Sequence, residues 1–220
     1  MGNLDNKVAI VTGAGGGLGR AHALLLAREG ASVVVNDLGG ARDGTGSGQS
    51  MADTVVEEII AAGGKAVANY GSVTDDAAAQ AMVKTAMDSF GRVDILINNA
   101  GILRDRSFKN MTDSEWDAVI DVHLRGAYLA TKHVWAALLE QGQGGRIIMT
   151  SSTSGLIGNF GQTNYGAAKA GLAGFMRVLA LEGMKYGITV NVLAPAALSR
   201  MTEDLMPDTP ELAERMAPEK

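Results

Sequence analysis

A short apolar run, Val8-Ala-Ile-Val11, passes directly into Thr12-Gly-Ala-Gly-Gly-Gly-Leu-Gly19 and then into a helical apolar pattern that lasts through Ala27. Strand, glycine turn and helix in that order leave few options, because the helix must pack back across the sheet that the strand belongs to. The same alternation continues along the chain. Apolar, β-branched runs predict strands at 32–35, 65–70, 93–97, 146–150 and 188–192. Between them the periodicity predicts helices at about 51–62, 75–89 and 113–140, and another running on from Tyr165. The longest of these starts from a capping box, Thr112-x-x-Glu115. Strands that alternate strictly with helices build an α/β fold, a doubly wound parallel sheet in three layers. At 220 residues the chain suits a single domain, and the glycine-rich stretch at 39–48 is too short to divide it.

The glycine turn carries chemistry as well as topology. Gly13 permits the sharp turn, Gly17 lets the backbone approach a pyrophosphate, and Gly19 allows close helix packing, with Gly16 and Leu18 lining the same loop. The amides and positive dipole end of the following helix then face phosphate oxygens. Alone, such a loop is as readily a flexible turn; Asp37, at the end of the second strand, decides for a Rossmann-type dinucleotide site. Its carboxylate can accept both ribose hydroxyls of NAD and would repel the 2′-phosphate of NADP. No Lys or Arg stands between Thr12 and Gly17 to offset that repulsion, so NAD is the expected cofactor.

A second constellation lies downstream. Tyr165 and Lys169 fall at i and i+4 of a helical run, on one face, with Ser151 and Ser152 preceding them. A phenol of pKa about 10 is a poor proton shuttle at neutral pH. An ammonium one turn away favours the phenolate and is expected to lower that value, while a serine hydroxyl holds the reacting oxygen. By itself the pair is one helical surface pair among many.

Composition excludes several alternatives. Net charge of −5 argues against nucleic-acid or anionic-membrane partners. Cysteine is absent, and His22, His123 and His133 have no metal-ligand spacing, so no metal is expected. The first residues lack the features of a signal peptide and no window approaches a membrane span, which points to a soluble, cytoplasmic protein.

Thr12-Gly-x-x-x-Gly17-x-Gly19, Asn98-Asn-Ala-Gly101, Ser152 and Tyr165-x-x-x-Lys169 stand in the order and spacing of the short-chain dehydrogenase/reductases, which the chain resembles over essentially its whole length. The resemblance implies Tyr165 as general acid/base, Lys169 as its modulator and nicotinamide-ribose ligand, and Ser152 as the residue that positions the substrate oxygen. Ser151 is then a strand-end hydroxyl bonded to backbone. Asn99, Ala100, Gly101, Ser72, Val73 and Pro195 join the cofactor contacts.

Val35-Asn-Asp-Leu-Gly-Gly40, Gly101-Ile-Leu-Arg-Asp-Arg-Ser-Phe108 and Val122-His-Leu-Arg-Gly126 are similar to the (3R)-hydroxyacyl-CoA dehydrogenase region of peroxisomal multifunctional enzyme type 2 and its bacterial stand-alone relatives. That implies oxidation of a (3R)-3-hydroxyacyl-CoA to the 3-oxoacyl-CoA. A 17β-hydroxysteroid or steroid side-chain substrate is the alternative, and a non-catalytic dinucleotide sensor a remote one. Arg104, Arg106 and Lys109 are either CoA-phosphate contacts or a solvated loop.

Three departures from the family pattern stand out. His123 replaces the relay asparagine, either bridging Lys169 to solvent through water or satisfying backbone groups. Gly71-Ser72-Val73 lacks the aspartate usual beside adenine, and Pro195-Ala196 replaces Pro-Gly. The chain stops at Glu219-Lys220, after Pro207, Pro210 and Pro218, short of the family's final helix and seventh strand, so a C-terminally incomplete domain is expected. The helices at 113–140 and 163–183 carry apolar residues on more than one face, which predicts a homodimer through them, or a tetramer built on it.

Overall fold

Every residue of β1 (Val8–Thr12) is buried, because helices cover both faces of the sheet at its centre. The computed structural model describes residues 2–41 and 43–195; Ala196 and the proline-bearing stretch beyond it lie outside the described residues. The other strands are β2 (Ser32–Asn36), β3 (Lys65–Asn69), β4 (Ile95–Asn98), β5 (Gly145–Thr150) and β6 (Ile188–Leu193). All pair in parallel, in the order β3-β2-β1-β4-β5-β6. The order reverses between β1 and β4, where the crossovers diverge and leave a crevice at the carboxyl ends of the strands.

Alternate residues of β1 feed two cores. Val8 and Ile10 pack with Met82 of α3 (Asp76–Phe90) and Leu138 of α5 (Gly126–Gln141). Leu172 of α7 (Thr163–Gly183) joins the same cluster. Ala9 and Val11 face the other way, against Ala23 of α1 (Gly17–Arg28) and Val55 and Ile59 of α2 (Ser50–Ala61). The sheet is thus the middle of three layers, as the alternation of the sequence predicts.

Two boundaries differ from the expected ones for identifiable reasons. β4 starts later than residue 93 because the side-chain amide of Gln141 takes both main-chain groups of Val93. Its Oε1 accepts from the Val93 N–H at 2.9 Å and its Nε2 donates to the Val93 carbonyl at 2.6 Å. The helix expected over 113–140 is broken up. α4 (Asp113–Ile120) opens with the Thr112–Glu115 capping box, then a π-helical segment, Asp121–Arg125, precedes α5. A π segment widens the helix by one residue per turn and re-aims the side chains it carries, here His123. A short helix, α6 (Thr153–Leu156), which periodicity cannot reveal, follows β5.

The outer face of α5 and α7 remains apolar. Tyr128, Leu139, Val178 and Leu181 are exposed, and the rings of Tyr128 and Phe175 meet across the two helices at 6.5 Å. Among the described residues, no helix is long and apolar enough to cross a membrane.

Candidate active site

The ends of β1 and β4 are tied together by side chains. Thr12 Oγ1 accepts the N–H groups of Asn99 and Ala100 at 3.0 and 3.1 Å. Asn99 Nδ2 donates to the carbonyls of Thr12 and Gly13 at 2.9 and 3.0 Å. This fixes the glycine turn, in which Gly13 and Gly17 have φ of 64° and 53° and no side chain is easily borne. A Cβ at Gly19 would fall 2.1 Å from the Gly13 carbonyl oxygen, so the close approach requires glycine there as well. No side chain caps α1 and no acidic residue stands in its first turn, so its first amides point into the crevice without a protein partner of their own.

The crevice has a volume of about 190 Å3. Of the residues the sequence singles out, Gly13, Gly16, Gly17, Leu18, Gly19, Asp37, Ser72, Val73, Asn99, Ala100 and Gly101 line it. Gly71 completes the stretch with Ser72 and Val73, and its carbonyl accepts from Asn36 Nδ2 at 2.9 Å. Both Asp37 oxygens are engaged, Oδ2 accepting the Gly15 N–H and Oδ1 the Gly39 N–H, each at 2.7 Å. A carboxylate offers about four acceptor positions, so two remain for ribose hydroxyls. Bare amides at a helix N-terminus, glycines at the closest approach and a carboxylate at the second strand fit a dinucleotide.

Sequence reasoning missed part of this wall. Leu38, Gly40, Ala41 and Gly44 line the crevice because the segment after β2 folds back over it, with Gly44 resting against Ile102. The glycine run in 39–48 was the available signal. Pro195 is placed at the end of β6 and does not line the crevice. Nor does Tyr165; Lys169 lines a small adjoining cavity that shares Val73, Ala100 and Val122 with it.

The hydroxyls and the ammonium cluster at the ends of β5 and α7. Ser152 Oγ accepts the Ser154 N–H at 3.1 Å, capping α6, and its hydroxyl acts on the Tyr165 phenol to lower its pKa. Ser151 is buried and donates to the Lys169 carbonyl at 2.8 Å, the backbone role expected of it. Lys169, only 3% exposed, donates from Nζ to the Thr150 carbonyl at 2.5 Å and stands 5.4 Å from the centre of the Tyr165 ring.

The electrostatics run against the sequence expectation. Burial pushes Tyr165 above its ordinary value, the Ser152 hydroxyl offsets part of that, and the Asp105 charge adds to the rise. The reason is that Lys169 is buried as well. Loss of hydration brings its pKa from 10.5 to about 7, so near neutral pH it does not carry a full charge to stabilise a phenolate.

His123 is 2% exposed and packs edge-on to Tyr165, with ring centres 5.1 Å apart. Its Nε2 lies 2.8 Å from the Ile102 carbonyl oxygen and 3.0 Å from the Ile102 amide nitrogen, so the imidazole meets backbone on this side whichever tautomer it adopts. Burial, reinforced by Lys169, holds its pKa well below 6.5. Nδ1 has no protein partner, and neither has Asn98 Oδ1. His123, Asn98 and Lys169 border the same cavity of about 10 Å3, roughly the room one water needs. The basic residues after β4 are engaged elsewhere: Arg106 with Glu115, at 2.8 Å, and Arg104 with the Asp43 carbonyl, at 3.0 Å, whereas Lys109 is exposed.

Residues 7–210 match the family model described as short chain dehydrogenase. The chain belongs to that family. It is 57% identical to the short-chain type dehydrogenase/reductase Rv0148 of Mycobacterium tuberculosis, over all of this chain and 76% of that protein. It is 55% identical to mouse peroxisomal multifunctional enzyme type 2, over 98% of this chain but only 28% of the enzyme. The hydroxyacyl-CoA dehydrogenase ChsB1 of M. tuberculosis is 45% identical, over 96% of this chain and 67% of its own length. A crystal structure of a short chain dehydrogenase from Mycobacterium avium superposes with a TM-score of 0.86 at 50% identity, covering 99% of this chain and 75% of that one. This short-chain dehydrogenase is therefore an oxidoreductase of CH–OH groups, in a family that uses NAD or NADP.

The buried lysine makes a prediction about stability. Folded Lys169 loses its proton near pH 7, whereas in the unfolded chain it keeps it to about 10.5. Between those values the unfolded state binds more protons, so raising the pH favours the folded state, by up to about 1.4 kcal/mol per unit. Urea denaturation of wild type and Lys169→Met across that interval is expected to show wild type gaining on the variant as pH rises. Parallel curves would contradict it.

Proposed function

We propose that this short-chain dehydrogenase interconverts a (3R)-3-hydroxyacyl-CoA and the 3-oxoacyl-CoA, with NAD as the cofactor. The reading is carried by the grouping of Ser152, Tyr165 and Lys169 beside a crevice shaped for a dinucleotide. The family relationship to the multifunctional enzyme and to a protein named as a hydroxyacyl-CoA dehydrogenase supports the substrate class. A bound dinucleotide, held by the glycine turn and Asp37, would supply the hydride acceptor for the carbinol carbon. Ser152 holds the substrate oxygen; Tyr165 accepts its proton as the phenolate, and the neutral phenol that burial favours returns one to that oxygen in the reverse direction. Lys169 lies one helical turn on, and its own charge follows pH around neutrality.

Positioned general acid–base catalysis contributes about 10²–10⁴-fold. Tyr165→Phe is therefore expected to bind the dinucleotide as wild type does and to lose activity on that scale in a turnover assay with a hydroxyacyl-CoA panel and a steroid alcohol. Near-wild-type turnover in the variant would remove Tyr165 from the chemistry, and turnover of the steroid alone would overturn the thioester reading.

Asp37 supports NAD over NADP, since its carboxylate would face a dianionic 2′-phosphate across a site with no lysine or arginine in the glycine loop. Titration of both dinucleotides is expected to show tighter binding of NAD. Equal dissociation constants would show that Asp37 does not read the ribose.

The exposed apolar face shared by α5 and α7 supports a two-fold homodimer. Such a dimer would bury more than roughly 1,000 Å2, the scale of a biological interface. Light scattering at micromolar concentration is expected to give twice the 22.8 kDa chain mass. A stable, active monomer would rule the dimer out.

A further inference from the structure

Two loops flank the catalytic hydroxyls, the segment after β4 that carries Asp105 and Arg106, and the segment from α6 to the start of α7. A single side chain joins them. Gln162 is 6% exposed and uses both ends of its amide: Oε1 accepts from Ser154 Oγ at 2.7 Å and from Asn159 Nδ2 at 3.1 Å, while Nε2 donates to Asp105 Oδ2 at 2.8 Å. The main chain alongside is stitched as well, with the Arg106 N–H donating to the Gly161 carbonyl at 2.8 Å. Ser154 is also the residue whose N–H binds Ser152 Oγ. From Gln162, one chain of contacts therefore reaches the Ser152 hydroxyl and another reaches the Asp105 carboxylate, whose charge is felt at the Tyr165 phenol.

We propose that Gln162 is a positioning residue for the reaction, holding the Ser152 hydroxyl through Ser154 and fixing the place of the Asp105 carboxylate on the neighbouring loop. The proposal rests on the reading of Tyr165 as the proton-transfer group. A buried amide bonded at both ends specifies one arrangement of the two loops, and each broken contact would leave a desolvated polar atom. Among the described residues, Lys169 approaches Tyr165 along α7 and His123 from the π-helical segment as a neutral ring, and the charge of Asp105 on the loop after β4 also acts on it. Of these, Asp105 is the anion, and its negative charge opposes formation of the phenolate. Arg106, next to it, is occupied by Glu115 and does not neutralise it.

Direct titration separates this from a merely structural role. The ultraviolet phenolate signal of wild type minus that of Tyr165→Phe isolates one tyrosine among the four. In Asp105→Asn, whose amide oxygen still accepts from Gln162, that step is expected to move to lower pH, because the opposing charge is gone. Gln162→Met, similar in shape but unable to hydrogen bond, is expected to lower kcat between about 10- and 100-fold, the scale of a small misplacement of reacting groups. Its dinucleotide Kd should match wild type, since Gln162 does not line the crevice. A Tyr165 step unmoved in Asp105→Asn, or wild-type kcat in Gln162→Met, would overturn the proposal. The titration needs no substrate and does not require Gln162→Met to fold, so inactivity of wild type on every alcohol would count against the function proposed above and leave this test decisive.

Discussion

At the carboxyl ends of β1 and β4 the chain has a surplus of main-chain carbonyls and a turn that only glycine can make. Asn99 and Thr12 resolve both at once, the amide of one holding two carbonyls of the turn and the hydroxyl of the other holding two amides of the next strand's exit. The crevice exists because these strand ends diverge, and it keeps its shape because they cannot separate. Everything placed around it takes its position from that junction: the first amides of α1, the Asp37 carboxylate and the backbone of Gly101, against which His123 packs so tightly that a Cβ there would lie 2.4 Å from the ring.

The second governing constraint is dehydration. Lys169, His123 and Tyr165 are packed together where water cannot reach all of them, and each is driven toward its neutral form. Local sequence distance suggests a simple pair, a cation stabilising a phenolate one turn away. Burial changes the outcome, since a cation that pays for its own desolvation has less charge to lend. The serine hydroxyl, which does not titrate, is the partner that lowers the phenol's value.

Much of this was legible in the residues. Gly13, Gly17 and Gly19 announced the turn because no other residue type suits those backbone angles and approaches, and alternating apolar runs fixed the layered parallel sheet. Asp37 was singled out by its place at the end of the second strand, Tyr165 and Lys169 by their i, i+4 spacing, and Ser152 over Ser151 by the family resemblance. The π-helical segment at Asp121–Arg125 was not, because it keeps the composition of an ordinary helix and differs only in how the turns are wound. The late start of β4 depended on Gln141, far away in sequence, and the wall formed by Leu38, Gly40, Ala41 and Gly44 depended on a loop folding back. The shift of the phenol depended on how much water the finished fold excludes. Each miss is a property of tertiary packing that no local window contains.

Asp37 has a consequence for redesign. Because its two oxygens hold the amides of Gly15 and Gly39, the carboxylate proposed to read the ribose also staples the glycine turn to the segment that folds over the crevice. On that proposal, coenzyme preference and the shape of the crevice depend on one side chain. An engineer who replaces Asp37 to admit a phosphorylated ribose also frees two buried-edge amides and loosens both walls. A working swap therefore has to supply new acceptors for Gly15 and Gly39 along with the new charge.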